Sequence, residues 1–580
     1  MTADSSSNLD RRTFLHLVGG VCAVSALDAS PRNLQAAEGS AAADRSAFPV
    51  AIRVDAGRAL GALKPIWRFF GADEPNYATM QDGRKLLADL GKLRPRETYF
   101  RTHNLLCTGD GTAVLKWGST NIYTEDAQGN PVYDWTIVDS IFDAYLERGV
   151  RPLVQLGFMP QALSIHPEPY QHHWRPGLPY KEIIAGWAYP PKDYDKWREL
   201  IFQWTKHCLE RYGREEVEQW YWEVWNEPNS DYWKGTREEF HKLYDYAVDG
   251  LRRALPKARV GGAHTAGPGG EFQREFLTHC LRGTNYATGE AGTPLDFVAF
   301  HAKGAPTFAD GHVRMGIASQ LRALDGGFAI AAAFPELKGV PVIIGESDPD
   351  GCAACQGPQL GYRNTTMYAS YTAAVFARHH DLAAQRGVNL EGAVTWAFEF
   401  EDQPYFAGFR VLASHGLTLP VFNVFRMFSK LGGKRIAAES SAAANLEVMM
   451  KEGVRSAPDV AALASRDGKK LGILCWHYHD DDFPGPAAAV SLEIQGIPKE
   501  VARVHLHHFR IDHEHSNAFT AWQRLGAPQS PSAQQYAELE KASLLAQLEP
   551  VREMNVENGQ GVLCFALPRQ AVSLVMVEWE

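Results

Sequence analysis

The chain has 580 residues, 45% of them hydrophobic and 22% charged, with a formal net charge of −10. That balance excludes extensive disorder, and the length leaves room for two or three domains at about 100–200 residues each. The acidic excess removes the electrostatic case for nucleic acid, whose binding rests on clustered Lys and Arg against phosphates.

Residues 1–37 read as a twin-arginine-type export signal. Arg11 and Arg12 precede a mild apolar run over 14–26, and "NLQAAEG" offers a small-residue cleavage site. A periplasmic or secreted protein is expected. No later apolar run approaches the roughly 18 residues that a membrane span needs, so no membrane span is expected. Of the eight cysteines, seven remain once Cys22 leaves with the signal, so at least one thiol stays free.

Residues 48–60 read as a strand that joins a C-terminal β-sandwich. Over 61–432 short apolar runs alternate with amphipathic helical stretches, the pattern of βαβ units around a parallel sheet. Eight such runs are "PIWRFFGADEP", "ETYFRTHNL", "RPLVQLGFMP", "QWYWEVWNEP", "ARVGGAHTAG", "LDFVAFHAKG", "VPVIIGESDP" and "GAVTWAFEF". Most of them end in or beside polar residues. A helix between them, "DYDKWRELIFQWTKHCLERYG", sets Trp197, Leu200, Ile201, Trp204, Cys208 and Leu209 on one stripe at the 3.6 period. The fold class is therefore α/β, a (β/α)8 TIM barrel with active groups at the C-terminal ends of its strands. An open doubly wound sheet is the competitor, but no Gly-rich fingerprint follows the first strand. Over 433–580 short alternating strands take over, with a hairpin turning at Asp467-Gly468 and one helix, "SAQQYAELEKASLLAQL", which makes a β-sandwich domain.

Two strand ends carry carboxylates. In "WYWEVWNEPNSDYW" alternation puts Trp222, Val224 and Asn226 on one face and Glu223, Trp225 and Glu227 on the other. Pro228 ends the strand and leaves Glu227 at the barrel mouth, while Glu223 lies deeper as a buried, paired carboxylate. "VPVIIGESDP" ends the same way at Glu346. Two carboxyls about 5–5.5 Å apart are what a retaining glycosidase uses. The crowded aromatic rings then suit stacking on sugar, and a dry pocket beside a second carboxylate would raise the pKa of the acid.

"WNEP", a strand-ending glutamate 119 residues later, "YFRTHNLL" and "LDFVAFHAKGA" together resemble glycoside hydrolase family 39, a group of β-xylosidases, α-L-iduronidases and arabinose-releasing enzymes. The resemblance spans roughly residues 50–580. It implies a (β/α)8 barrel with Glu227 as general acid/base and Glu346 as nucleophile. Asn226 would bond the sugar 2-hydroxyl, His103, His301 and Lys303 would line the sugar pocket, and Trp396 would form its floor. No cofactor is implied, and the partner is an oligosaccharide or small glycoside. β-D-Xylosidase is the favoured expectation. The "HAKGA" setting of Lys303 keeps an iduronidase-like or arabinose-releasing activity as the alternative, and a non-catalytic carbohydrate-binding protein is the alternative of another class.

Two further motifs need placing. "CAAC" at 352–355 lacks the second ligand pair of a zinc site and reads as an open or strained pair in an active-site loop. "HLHHFRIDHEH" at 505–515 reads as a strand face that is solvated or hydrogen-bonded to its neighbours rather than a metal site. No metal is expected at either.

Overall fold

All eight apolar runs form parallel strands that close on themselves. The computed structural model of the chain describes residues 47–396 and 398–580, and the leader read in residues 1–37 lies outside them. After an N-terminal strand β1 (Phe48–Ala62) come β2 (Phe69–Ala72), β3 (Thr98–Thr102), β4 (Val150–Leu156) and β5 (Tyr221–Val224), then β6 (Arg259–Thr265), β7 (Phe297–Lys303), β8 (Pro341–Asp348) and β9 (Asn389–Trp396). The order β8-β9-β2-β3-β4-β5-β6-β7 is closed by the pairing of β8 with β7. Helix α1 (Tyr194–Tyr212) starts where the Asp193 carboxylate accepts the amides of Asp195 and Lys196, a standard N-cap. It buries Trp197, Leu200, Ile201, Trp204 and Cys208, which is the stripe its periodicity predicts, with Leu209 half-buried.

Period-2 alternation decides what fills the barrel. Phe69, Tyr99, Leu153, Tyr221, Phe297, Ala299, Ile343 and Val394 pack together as an apolar plug that continues up to Trp396. Two residues further along β3, β5 and β7 the inward positions carry Arg101, Glu223 and His301, and the next carry His103 and Lys303. Chemistry thus begins one layer above the plug. On β8 the alternation would turn Gly345 inward and Glu346 outward. A bulge sets it right, because Ile344 and Glu346 pair with the consecutive residues Phe300 and His301, leaving Gly345 as the extra residue. A Cβ at Gly345 would collide with His264 and His301, so glycine is required there. Gly71 is required in the same way beneath the Trp396 ring.

The C-terminal region is a sandwich built from one continuous sheet. β10 (Lys434–Ser440), β11 (Asp459–Asp467), β12 (Lys470–Tyr478), β13 (Ala488–Gln495), β14 (Arg503–Ile511), β15 (Gly561–Leu567) and β16 (Val572–Glu578) run in the order β14-β16-β12-β11-β10-β1-β13-β15 within ten strands. β1 lies antiparallel to β10 and parallel to β13. Strands from both ends of this order share one core, in which Val504, Leu506, Val575 and Val577 meet Val490, Leu492 and Leu563. The hairpin turn falls where Asp467-Gly468 predicts it, with Asp467 opposite Lys470 and Gly468 at φ +57°. The expected helix is α2 (Ala533–Ser543), opened by a capping box between Ser532 and Gln535. Among the described residues no helix is long and apolar enough to cross a membrane.

Candidate active site

The charged layer above the apolar plug is organised by one buried guanidinium. Arg101 Nε donates to Glu223 Oε1 and Oε2 at 3.0 and 2.8 Å, Nη1 to Glu346 Oε1 at 3.1 Å, and Nη2 to Asn226 Oδ1 at 2.9 Å. Its flat face lies 4.9 Å from the Trp396 ring. Glu223 also meets His264 Nε2 at 2.7 Å. Burial would push the Glu223 carboxyl up, but Arg101 and His264 hold it down to about 2. Glu223 is thus the buried, paired carboxylate that its depth in the strand implies.

Asn226 does not lie on the face opposite Glu223, since Arg101 holds both. Regular alternation stops at Val224, where β5 ends. Trp225 and Glu227 adopt left-handed backbone at φ +70° and +47°, costly for non-glycine residues unless the surroundings impose it. Here they do. The Trp225 amide donates to Leu156 O at 3.1 Å, its indole to Tyr232 O at 2.9 Å, and the Glu227 amide to His264 O at 2.9 Å.

Glu227 and Glu346 face one another across His301. Nδ1 of His301 lies 2.8 Å from Glu227 Oε1 and 3.7 Å from Glu346 Oε1. Lys303 Nζ forms an ion pair with Glu346 Oε2. The Glu227 side chain is 16% exposed and that of Glu346 only 3%, so Glu227 stands on the solvent side of the pair. Burial would raise the Glu346 carboxyl, but Lys303, His301 and Arg101 hold it well below the ordinary range. Glu227 is also held below the ordinary carboxylate range. Burial and Glu346 push it up, and the His301 hydrogen bond and the Lys303 charge outweigh them. The expectation of a raised acid pKa therefore fails for the free site, because sequence spacing does not reveal that two cationic or donor groups converge there.

All seven residues singled out in the sequence belong to this region. His103, Asn226, Glu227, Lys303, Glu346 and Trp396 line a pocket of about 300 Å³, and His301 bridges the two carboxylates. His103 donates from Nδ1 to Asp73 Oδ1 at 2.9 Å, and its Nε2 lies 3.8 Å from Glu346 Oε1. The aromatic crowd of 220–233 has another role than expected. Trp220, Trp222 and Trp225 are fully buried core residues, Tyr221 belongs to the plug, and only Tyr232 of the six rings lines the pocket.

Sequence reasoning passed over Arg101, Asp73, Lys116 and Tyr180. Arg101 had a readable signal, since it sits two residues before His103 on one face of a strand. Lys116 lies in a long loop without periodicity and gave none.

Glu227, His301 and Glu346 are the only group of three His, Cys, Asp or Glu among the described residues with ligand atoms within 4.8 Å of one another. Lys303 and Arg101 already engage Glu346, and a divalent ion would have to displace those cations, so the donor set suits a carboxylate pair better than a metal. The histidines of 505–515 do not converge. His505 faces solvent, His508 is buried against Ser573 at 3.0 Å, and His515 bonds Asp512 at 2.9 Å. Cys352 and Cys355 are joined as a disulfide rather than open, in the loop after β8 that brings Gly351 and Ala353 to the pocket.

A family model described as glycosyl hydrolases family 39 matches residues 50–557. A β-xylosidase of Geobacillus stearothermophilus is 28% identical over 502 residues, covering 83% of this chain and 86% of the relative. An α-L-iduronidase of Mus musculus is 26% identical over 531 residues, covering 84% and 75%. Among solved structures, a bacterial orthologue of human α-L-iduronidase superposes with a TM-score of 0.72 at 21% identity, covering 92% of this chain and 84% of that one, a likeness of fold.

Proposed function

Because the chain belongs to glycosyl hydrolases family 39 and is therefore a glycosidase, we propose that it is a retaining, exo-acting β-D-xylosidase. One observation carries the retaining reading. Oxygens of Glu227 and Glu346 lie within 4.8 Å of each other, nearer to the separation of about 5–5.5 Å of a retaining pair than to the roughly 6.5–9.5 Å at which an inverting pair places a water beside the sugar. Glu346, kept ionised by its cationic neighbours, attacks. Glu227, on the solvent side, protonates the departing oxygen and then activates water against the glycosyl ester. Asn226, oriented by Arg101, offers its amide NH₂ to the 2-hydroxyl, a contact that strengthens as charge develops at the anomeric carbon.

The charge balance favours a neutral sugar. With Glu227 protonated for its role as acid, Asp73, Glu223 and Glu346 balance Arg101, Lys116 and Lys303, and each of these cations is already paired. An anionic glycone would have to draw Lys303 off Glu346 to find a partner. That same lysine supports the second reading, an α-L-iduronidase, because a substrate carboxylate is what would free Glu346 for attack. Release of nitrophenol from matched β-D-xylopyranoside, α-L-arabinofuranoside and α-L-iduronide reporters tests the choice. Xyloside should be the fastest; preference for iduronide would replace the first reading by the second.

The pH profile tests the acid role. Glu227 must be protonated to act, so kcat/KM should fall as pH rises through its pKa. Lys303 helps to depress that pKa. Lys303→Met should therefore move the alkaline limb of kcat/KM to higher pH, and an unmoved limb would assign it to another group.

A further inference from the structure

The pocket has a second charged wall that the mechanism above does not use. Asp73, just beyond β2, and Lys116, from the loop between β3 and β4, form a buried ion pair through Lys116 Nζ and Asp73 Oδ2. Both line the same pocket as the two catalytic glutamates. We propose that this pair is a specificity clamp for the 3,4-diol of the glycone, the hydroxyls most distant from the scissile bond. The proposal rests on the glycosidase reading but not on which group the sugar carries at carbon 5.

Position is the first argument. The His103 ring links Asp73 at 2.9 Å to Glu346 at 3.8 Å, so the Asp73 carboxylate stands one imidazole beyond the nucleophile. A pyranose whose anomeric carbon faces Glu346 and whose 2-hydroxyl faces Asn226 brings its far edge to that wall. Chemistry is the second. Each hydroxyl of a diol both donates and accepts, and a carboxylate beside an ammonium supplies the complementary acceptor and donors. The third is an unused atom. His103 Nε2 is buried on this wall without a hydrogen-bond partner, and burial lowers the ring's pKa. With Nδ1–H donated to Asp73, Nε2 is an acceptor for a sugar hydroxyl.

The way Lys116 is held argues against a mere loop staple. Its amide donates to Glu74 Oε1 at 2.6 Å, its carbonyl accepts from His172 Nε2 at 3.0 Å, and its backbone sits at φ +60°. The ammonium lies 5.3 Å from the Tyr180 ring centre, and Tyr180 in turn meets the Tyr232 hydroxyl. Three segments converge to aim one lysine. A buried ion pair is seldom the cheapest way to pack a loop, because desolvating both charges offsets most of their attraction.

The test compares kcat/KM for nitrophenyl β-D-xylopyranoside with that for its 3-deoxy and 4-deoxy analogues, in the wild type and in Lys116→Met. Wild type should lose roughly 10- to 100-fold on removal of at least one hydroxyl. Lys116→Met should lose a similar factor on the parent sugar, while its own penalty for the missing hydroxyl shrinks to about threefold or less. A variant that keeps the full deoxygenation penalty would overturn the clamp. So would a wild type indifferent to both deletions, a result that does not depend on the variant folding. The iduronide and its deoxy analogues are run in parallel, because the two glycones share carbons 1 to 4. If iduronide proves the faster parent, the xyloside reading falls while the ratios within that series still judge the clamp.

Discussion

Glu346→Ala should lower kcat by about five orders of magnitude, the scale on which removal of a covalent nucleophile acts, with the fold intact. The effect is large because nothing else in the pocket can take the role. Asp73 is committed to His103 and Lys116, and Glu223 lies a layer deeper on Arg101 and His264. Glu346 is a buried partner of Lys303 and Arg101, so its removal should also cost stability, but less than loss of Arg101, because Arg101 keeps Glu223 and Lys303 can turn to Glu227. Glu227→Ala should behave differently. Nitrophenyl glycosides, whose leaving group needs little protonation, should lose far less than alkyl glycosides in the first step. Steady-state rates on both substrate types separate the roles, and equal losses in the two variants would contradict the assignment.

Arg101→Met should be the most damaging substitution outside the carboxylate pair, in stability as well as rate. The side chain is fully buried and is the shared partner of Glu223, Glu346 and Asn226. Removing one member of a buried charged set costs about 3–5 kcal/mol, since the remaining charges are left unpaired. Glu223 would then be a buried carboxylate with only His264 beside it. The loss in kcat/KM should be at least about 100-fold, because Asn226 and Glu346 lose the group that aims them. Chemical denaturation and kinetics read the two effects separately. Adding Glu223→Gln should recover part of the stability and little of the activity. Recovery of both together would mean that Arg101 serves only to neutralise Glu223.

What the sequence revealed and what it hid follow from the range of each interaction. The strands were legible because each is a short apolar run set between amphipathic helical stretches, and α1 because its stripe repeats at 3.6 residues. Glu227 and Glu346 were legible because each closes an apolar strand. The bulge at Gly345 was not, although it is what turns Glu346 inward, since a one-residue slip leaves no mark on composition. The left-handed turn at Trp225 hid the shared partner of Glu223 and Asn226 in the same way. The depressed carboxyl of Glu227 depends on His301 and Lys303 arriving from a strand more than 70 positions away. Local pattern carries no information about such a convergence. The tryptophans of 220–233 misled in the opposite direction, because a ring that packs a core and a ring that stacks on sugar look alike in sequence.

If Glu227 and Glu346 act as proposed, glycosides are cleaved with retention. The most direct test follows the anomeric proton of the first-formed sugar by NMR, using whichever reporter glycoside the enzyme turns over fastest. The initial product should have the anomeric configuration of the substrate and only later mutarotate. An initial product of opposite configuration would mean that water attacks the anomeric carbon directly and that Glu346 is not a nucleophile.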